Sequence, residues 1–194
     1  MQTELLLQSI TKYIQLDSDE ENYFLSLLQV RKFKKKQFVS QEGDINTSGK
    51  FVVSGLLRLY SVDKNGFEHI IQFAPPGWWI GDLMSYVKKS PGNLVIDAIE
   101  ETEVIEIPRD AIEMLYSNVP KFERYFRILA ENALAAYQQR FSNSLSFSAR
   151  ERYAYFVQLY PSLFQHLAQK YIASFIGVTP EFLSKMLNQP ASER

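Results

Sequence analysis

Apolar positions recur with two different periods along the chain, and the period changes twice. Residues 3 to 30 have helical spacing: Leu6, Ile10 and Ile14 form one stripe, and Ser18 with Glu21 reads as a capping box ahead of Phe24, Leu27 and Leu28. From 31 to 107 the pattern turns β. FVVSGLLRLYSV and FEHIIQFA are rich in β-branched, aromatic and leucine residues and flank DKNG, where Asn65-Gly66 suits a tight hairpin with positive φ at both central residues. LVIDA and TEVIEI add short strands, and turns at EGD, SG, PPG and SPG predict a closed or double-layered all-β unit. RKFKKK (Arg31 to Lys36) fits a solvated edge strand guarded by its lysines against mispairing.

The helical period returns at Pro120. Phe122, Phe126, Leu129, Ala133 and Ala136 step by 4, 3, 4 and 3, a seam another helix can pack against, and Ala130, Leu134, Tyr137 and Phe141 form a second stripe beside it. Two adjacent apolar stripes ask for two partners, the β unit and a second subunit, and the first stripe is taken as the dimer seam. Ser148 with Glu151 then opens SARERYAYFVQLY, which Pro161 closes.

The end of the chain carries the sharpest motif. AQKYIASFIGVTPEFLSKMLNQ reads as a helix, a sharp turn and a second helix. Ile172, Ala173 and Ile176 give the first helix its inner face, and Gly177 supplies the left-handed residue that ends it. Thr179 stands where an N-cap hydroxyl belongs and Pro180 at the first helical position, where a missing N–H costs nothing. Leu183, Met186 and Leu187 are expected inward, leaving Glu181, Ser184, Lys185 and Asn188 outward. Such a hairpin can be purely structural. The outward carboxylate, hydroxyl, amine and amide are, however, groups that read base edges in a major groove. Lys170, at the start of the first helix, and the Thr179 hydroxyl are expected to meet phosphates.

This order of elements resembles bacterial regulators of the cyclic-AMP receptor protein type, the Crp/Fnr family. The resemblance rests on FVVSGLLRLYSVDKNGFEHIIQFAPPGWWIGDL and QKYIASFIGVTPEFLSKML and covers essentially the whole chain. It implies an α+β fold: an N-terminal double-stranded, cyclic-nucleotide-binding-like β-roll (jelly roll) with N-terminal helices over 1–117, a long dimerisation helix over 118–143 and a helix-turn-helix domain over 144–194. It implies double-stranded DNA, a second copy of the chain, RNA polymerase and a small effector as partners; a cytoplasmic location is expected separately, since no apolar run approaches bilayer length and MQTELLLQSITKYIQ does not read as a signal peptide. Two departures bear on DNA reading. Pro180 and Lys185 stand where family recognition helices commonly carry arginine, and Phe182 stands where a small polar residue is usual.

A third departure touches the effector. In nucleotide-binding members a glycine–acid–leucine turn opens a cassette and an arginine beside a serine or threonine closes it, the acid taking the ribose hydroxyl and the arginine the phosphate. Gly81-Asp82-Leu83 resembles the first half, but the second half is Gly92-Asn93-Leu94-Val95, with no arginine, and Arg109 lies beyond the next strand. Gly81, Asp82, Leu83 and Asn93 remain candidates for an effector pocket, with cyclic nucleotide not expected in it. Trp78 and Trp79 point to opposite faces of an extended segment and read as core aromatics.

Composition narrows the chemistry further. There is no cysteine, so thiol catalysis and iron–sulfur ligation are excluded for these residues, and His69 and His166 stand apart from other metal ligands. No phosphate-cradling glycine motif, nucleophile elbow or zinc-protease box occurs, and Asp97, Glu100, Glu101 and Glu103 read as a solvated strand face and turn. No enzyme activity, metal or cofactor is expected. The net charge is −1, and from Ser144 onward five Lys or Arg oppose three Glu, a net of +2, so any DNA footprint is local and modest.

Overall fold

The computed structural model describes residues 3–188. They form two compact units: one made of the chain up to Ser61 together with Ile71–Asn132, the other of Val62–Ile70 together with the chain from Ala133 onward.

The first unit opens with α1 (Glu4–Thr11) and α2 (Ser18–Ser26). The cap of α2 sits one residue earlier than the Ser18/Glu21 pair predicts. Asp17 accepts the amides of Asp19 and Glu20, while the Glu20 carboxylate accepts the Asp17 amide. Both readings fit the acidic run; the aspartate lies where the backbone is still extended, which is what an N-cap requires.

Eight strands follow: β1 (Gln29–Phe33), β2 (Phe38–Ser40), β3 (Ser48–Ser54), β4 (Leu57–Val62), β5 (Glu68–Ala74), β6 (Trp79–Ile80), β7 (Val95–Ala98) and β8 (Thr102–Pro108). They build two four-stranded sheets, β1-β8-β3-β6 and β2-β7-β4-β5. β1, which carries Arg31 and Lys32, is an edge strand as the lysine run suggests, and Lys32 pairs with Glu103 at 3.0 Å. The β4–β5 turn differs from the two-residue form. Asp63 N–H donates to Phe67 and Gly66 N–H to Asp63, and Gly66 alone is left-handed (φ 82°), giving a three-residue turn that the Asp63 carboxylate ties to Asn65 and Phe67.

Strand alternation sorts the sheet residues into two cores. Val52, Leu57, Leu59, Ile80, Ile96, Ala98 and Val104 fill the space between the sheets, with Trp78 against them. Phe51, Ile105 and Ile107 point the other way and join Leu6, Ile10, Phe24 and residues of α4 (Arg109–Asn118) and α5 (Lys121–Ser146). Trp79 lies here, edge-on to Phe51 and Phe126, and donates its indole N–H to the Tyr125 hydroxyl at 3.2 Å. The tryptophans therefore do part to opposite faces, each as a core aromatic. α3 (Leu83–Lys88) and α4 are absent from the sequence reading.

Asp97 is not solvated. It is buried opposite Arg58 in the β4–β7 register, taking Nε and Nη2 at 2.7 Å each, with the Tyr60 hydroxyl at 3.2 Å and the guanidinium 4.2 Å from the Tyr60 ring. An acid can sit in a buried strand here because its cross-strand neighbour is a planar cation that fits it in two places.

In the second unit, α5 continues past Ala133 and is followed by α6 (Ala149–Leu159), α7 (Gln169–Ile176) and α8 (Pro180–Asn188). Ser148 and Glu151 cap α6 reciprocally, as the sequence predicts. Phe156, Tyr160 and Phe175 meet in tilted and edge-to-face contacts as its aromatic centre.

Candidate nucleic-acid interface and effector cassette

The recognition pair is built by its turn. Gly177 is left-handed at φ 73°, its amide bonding Ala173, and Val178 bonds the same carbonyl; α8 then begins at Pro180, with the Thr179 hydroxyl accepting the Phe182 amide at 3.2 Å. Ile172, Ala173, Phe175 and Ile176 are buried on α7, and Leu183 and Met186 on α8. Leu187 is exposed, contrary to its expected inward placement: 3.6 residues per turn carry it past the seam that Leu183 and Met186 define. Glu181, Phe182, Lys185 and Asn188 are exposed, Ser184 is half-buried, and Lys170 and Thr179 are exposed. One helix pair thus presents every residue expected to meet DNA, except that Ser184 is partly withdrawn.

The cations of this unit divide in two. Arg150 donates to the Met186 carbonyl at 3.1 Å, and Arg152 donates to Ile176 and Phe147 carbonyls at 2.7 Å each. These are carbonyls in the last turns of α8 and α7 and just past α5, where helices leave acceptors unpaired and favour positive charge. Both arginines therefore work as helix caps, and Lys170 and Lys185 are the exposed Lys or Arg of α7 and α8. The last residues of this domain, 189–194, lie outside the described residues.

The effector cassette is closed on itself. Asp82 is buried and caps α3, its Oδ1 accepting the Ser85 amide at 3.0 Å; its Oδ2 has no hydrogen-bond partner and lies where a Cβ on Gly92 would stand. Gly81 abuts the Asn46 side chain. Leu83, expected in the pocket, is 63% exposed as the first residue of α3, directly after its cap Asp82, and Asn93 is exposed as well. Arg109 reaches the cassette after all: its guanidinium stacks on Tyr86 of α3 at 4.1 Å and Nη2 lies 3.5 Å from the Asn46 carbonyl.

The cation of the roll interior is one that sequence reading missed. Lys50 shares the inward parity of Val52, is buried, and donates to Asn46 Oδ1 (3.1 Å), Ser48 Oγ (2.9 Å) and the Ser48 carbonyl (3.3 Å). Burial pushes its ammonium below the ordinary lysine range, and the cross-strand carboxylate of Glu106 opposes that shift. Asn46 passes the connection on, its Nδ2 to the Asp82 carbonyl and its amide to Ser85 Oγ, which donates to Ser90. The only sequence signal was a lysine and a glutamate at inward positions of neighbouring strands. Among the described residues no cluster of three or more His, Asp or Glu could hold a metal, and no helix is long and apolar enough to cross a membrane.

Of the five residues expected on the dimer seam, Phe122 is fully buried in the chain's own core, its ring 4.7 Å from that of Phe24, and cannot face a partner. Phe126 and Leu129 pack against the same core, while Ala133 and Ala136 are exposed. The step of 4 and 3 shows that a helix face is apolar but not what covers it. In the second stripe Leu134 is 68% and Phe141 67% exposed, and Leu145, one turn beyond it, is 74% exposed.

Residues 30–118 match the cyclic nucleotide-binding domain family. The regulatory protein HlyX of Actinobacillus pleuropneumoniae is 25% identical over 174 residues, covering 80% of this chain and 69% of that protein. The cyclic AMP receptor protein of Thermus thermophilus is 26% identical over 190 residues, covering 92% and 84%. Among solved structures, the Thermus thermophilus catabolite activator protein superposes with a TM-score of 0.58 at 25% identity, covering 89% of this chain and 82% of that one. The c-di-GMP-responsive regulator CLP of Xanthomonas campestris reaches a TM-score of 0.72 at 13% identity, covering 88% and 90%, a likeness of fold. A roll carrying the cyclic nucleotide-binding pattern over residues 30–118, a long helix, a terminal helix pair and relatives that are regulators agree, and the chain is similar to regulators of the cyclic-AMP receptor protein type.

Proposed function

We propose that this protein is a transcription regulator that binds double-stranded DNA as a homodimer and whose roll does not take cyclic nucleotide. One observation carries the first part: α7 and α8 cross on a fully apolar seam, with a left-handed glycine between them, and leave Glu181, Lys185 and Asn188 projecting from an exposed face. Lys185 donates to guanine, Glu181 accepts from a cytosine amine, and Ser184 and Asn188 are adaptable readers, while Lys170 and Thr179 hold phosphates. Lys185→Ala should cost about 1–3 kcal/mol and relax preference mainly at one base pair per half-site; Lys170→Ala should weaken all duplexes about equally and lower the salt slope by about 1. Fluorescence anisotropy at two salt concentrations, on duplexes selected from a random pool and on scrambled ones, reads both. Unchanged affinity and sequence profile in Lys185→Ala would make the helix pair structural.

The sensor half of the proposal is supported by what fills the cassette. Gly92 stands where a phosphate-holding arginine belongs, Asp82 is occupied as a cap, and the three hydrogen-bond acceptors around Lys50 match its three protons. Calorimetry should show no cyclic-AMP or cyclic-GMP binding tighter than about 1 mM, or about −4 kcal/mol. A micromolar constant, or a melting temperature that climbs with modest nucleotide, would overturn it.

The dimer contact we assign to the exposed residues Leu134, Phe141 and Leu145 with Ala133 and Ala136 beside them, in place of the Phe122 end of the predicted seam. Large apolar side chains at helical spacing, mostly exposed, are what an isologous helix pair buries.

A further inference from the structure

Three segments far apart in sequence meet within the second unit: the hairpin tip Val62–Ile70, the later half of α5, and α7. Two side chains fasten them. Arg140 of α5 donates from Nη2 to the carbonyls of Ile70 (2.7 Å) and Phe175 (2.9 Å), and its guanidinium lies 3.9 Å from the Phe175 ring centre. Ser174 of α7 accepts the Ile70 amide at 3.0 Å and donates to the Glu68 carbonyl at 2.6 Å.

The chemistry of these contacts is informative. Each hydrogen bond ends on backbone, so what is held is the position of chain segments. Phe175 is in the last turn of α7, whose carbonyls lack intrahelical partners and attract a cation. A planar guanidinium that stacks on one ring and bonds two carbonyls has little freedom to swing. The hydroxyl of Ser174 works in both directions, as acceptor and donor, which fixes its rotor. Together they set the angle at which α7, and α8 behind it, stands on α5.

That angle has a consequence if α5 pairs with its mate. Two reading helices joined through a two-fold engage half-sites only at the separation the rigid assembly presents. We propose that Arg140 and Ser174 are positioning residues for DNA reading, which set the tolerated spacing between half-sites by locking the helix-turn-helix to α5 and to the hairpin tip. The inference rests on the regulator reading above.

The test uses the duplex that full-length wild type recovers from a random pool, with versions carrying one base pair more or fewer between the half-sites, and one half-site alone. For wild type a single added base pair should weaken binding by about tenfold or more, because a rigid pair then loses simultaneous engagement. Ser174→Ala and Arg140→Met should shrink that penalty to about threefold or less while half-site affinity stays within about twofold. Ser174→Thr, which keeps the hydroxyl, should retain the wild-type penalty. Hydrogen exchange supplies a readout without DNA: the Ile70 amide should be protected in wild type and Ser174→Thr and lose protection in Ser174→Ala. Should Arg140→Met fail to fold, the serine pair alone decides. A spacing penalty unchanged in Ser174→Ala, with the Ile70 amide opened, would overturn the positioning role and leave the regulator reading standing. Recovery of no specific duplex by wild type would overturn both.

Discussion

A glutamate at Leu134 should yield a folded monomer, whereas a glutamate at Leu129, one turn and a residue earlier on α5, should yield a destabilised chain. Leu134 is exposed and belongs to the second stripe, so in the free protomer its charge meets water. In a two-fold helix pair the same charge meets its own mate in a dry contact. Leu129 packs against the core of α1, α2 and the roll, so its glutamate must be buried within one chain, which costs several kcal/mol unless the core opens. Light scattering with circular dichroism separates the outcomes. Leu134→Glu should also lose about 100-fold in affinity for a two-half-site duplex, since avidity goes with the dimer. A well-folded dimer from Leu134→Glu would place the seam elsewhere on the chain.

The second large effect concerns stability. Asp97→Ala should lower the unfolding free energy by about 3–5 kcal/mol, because it strips a buried guanidinium of a carboxylate that meets it in two places. Replacing both partners with apolar residues, Arg58→Met with Asp97→Leu, should recover most of that loss, as no charge is then left buried. Urea unfolding monitored by tryptophan fluorescence measures both. A loss below about 1 kcal/mol in Asp97→Ala would show the pair to behave like an exposed one.

These contrasts show where sequence legibility ends. Period, turn chemistry and caps are local, and they placed α6, the α7–Gly177–α8 pair and the edge character of β1. Misplacements came where two local solutions compete: Asp17 over Ser18 as a cap, and a three-residue turn over Asn65-Gly66 because Asp63 offers its carboxylate to two amides. Longer-range facts were out of reach. Asp97 looks like its neighbours Glu100, Glu101 and Glu103 until strand register sets it opposite Arg58. The α5 stripes are equally apolar, and only the tertiary structure shows that Phe122 is used within the chain while Leu134 is bare. The α7–α8 pair suffered least, since its signals are local; even there, the use of Arg150 and Arg152 as caps could not be read from a charge count.

Gly92 also constrains any redesign of the cassette. A side chain there would stand in the Asp82 carboxylate, and Asp82 in turn holds the start of α3. A larger residue at position 92 and the present rotamer of Asp82 thus compete for one space. Restoring a long side chain at position 92 therefore means changing two things at once, the residue itself and the carboxylate that caps α3.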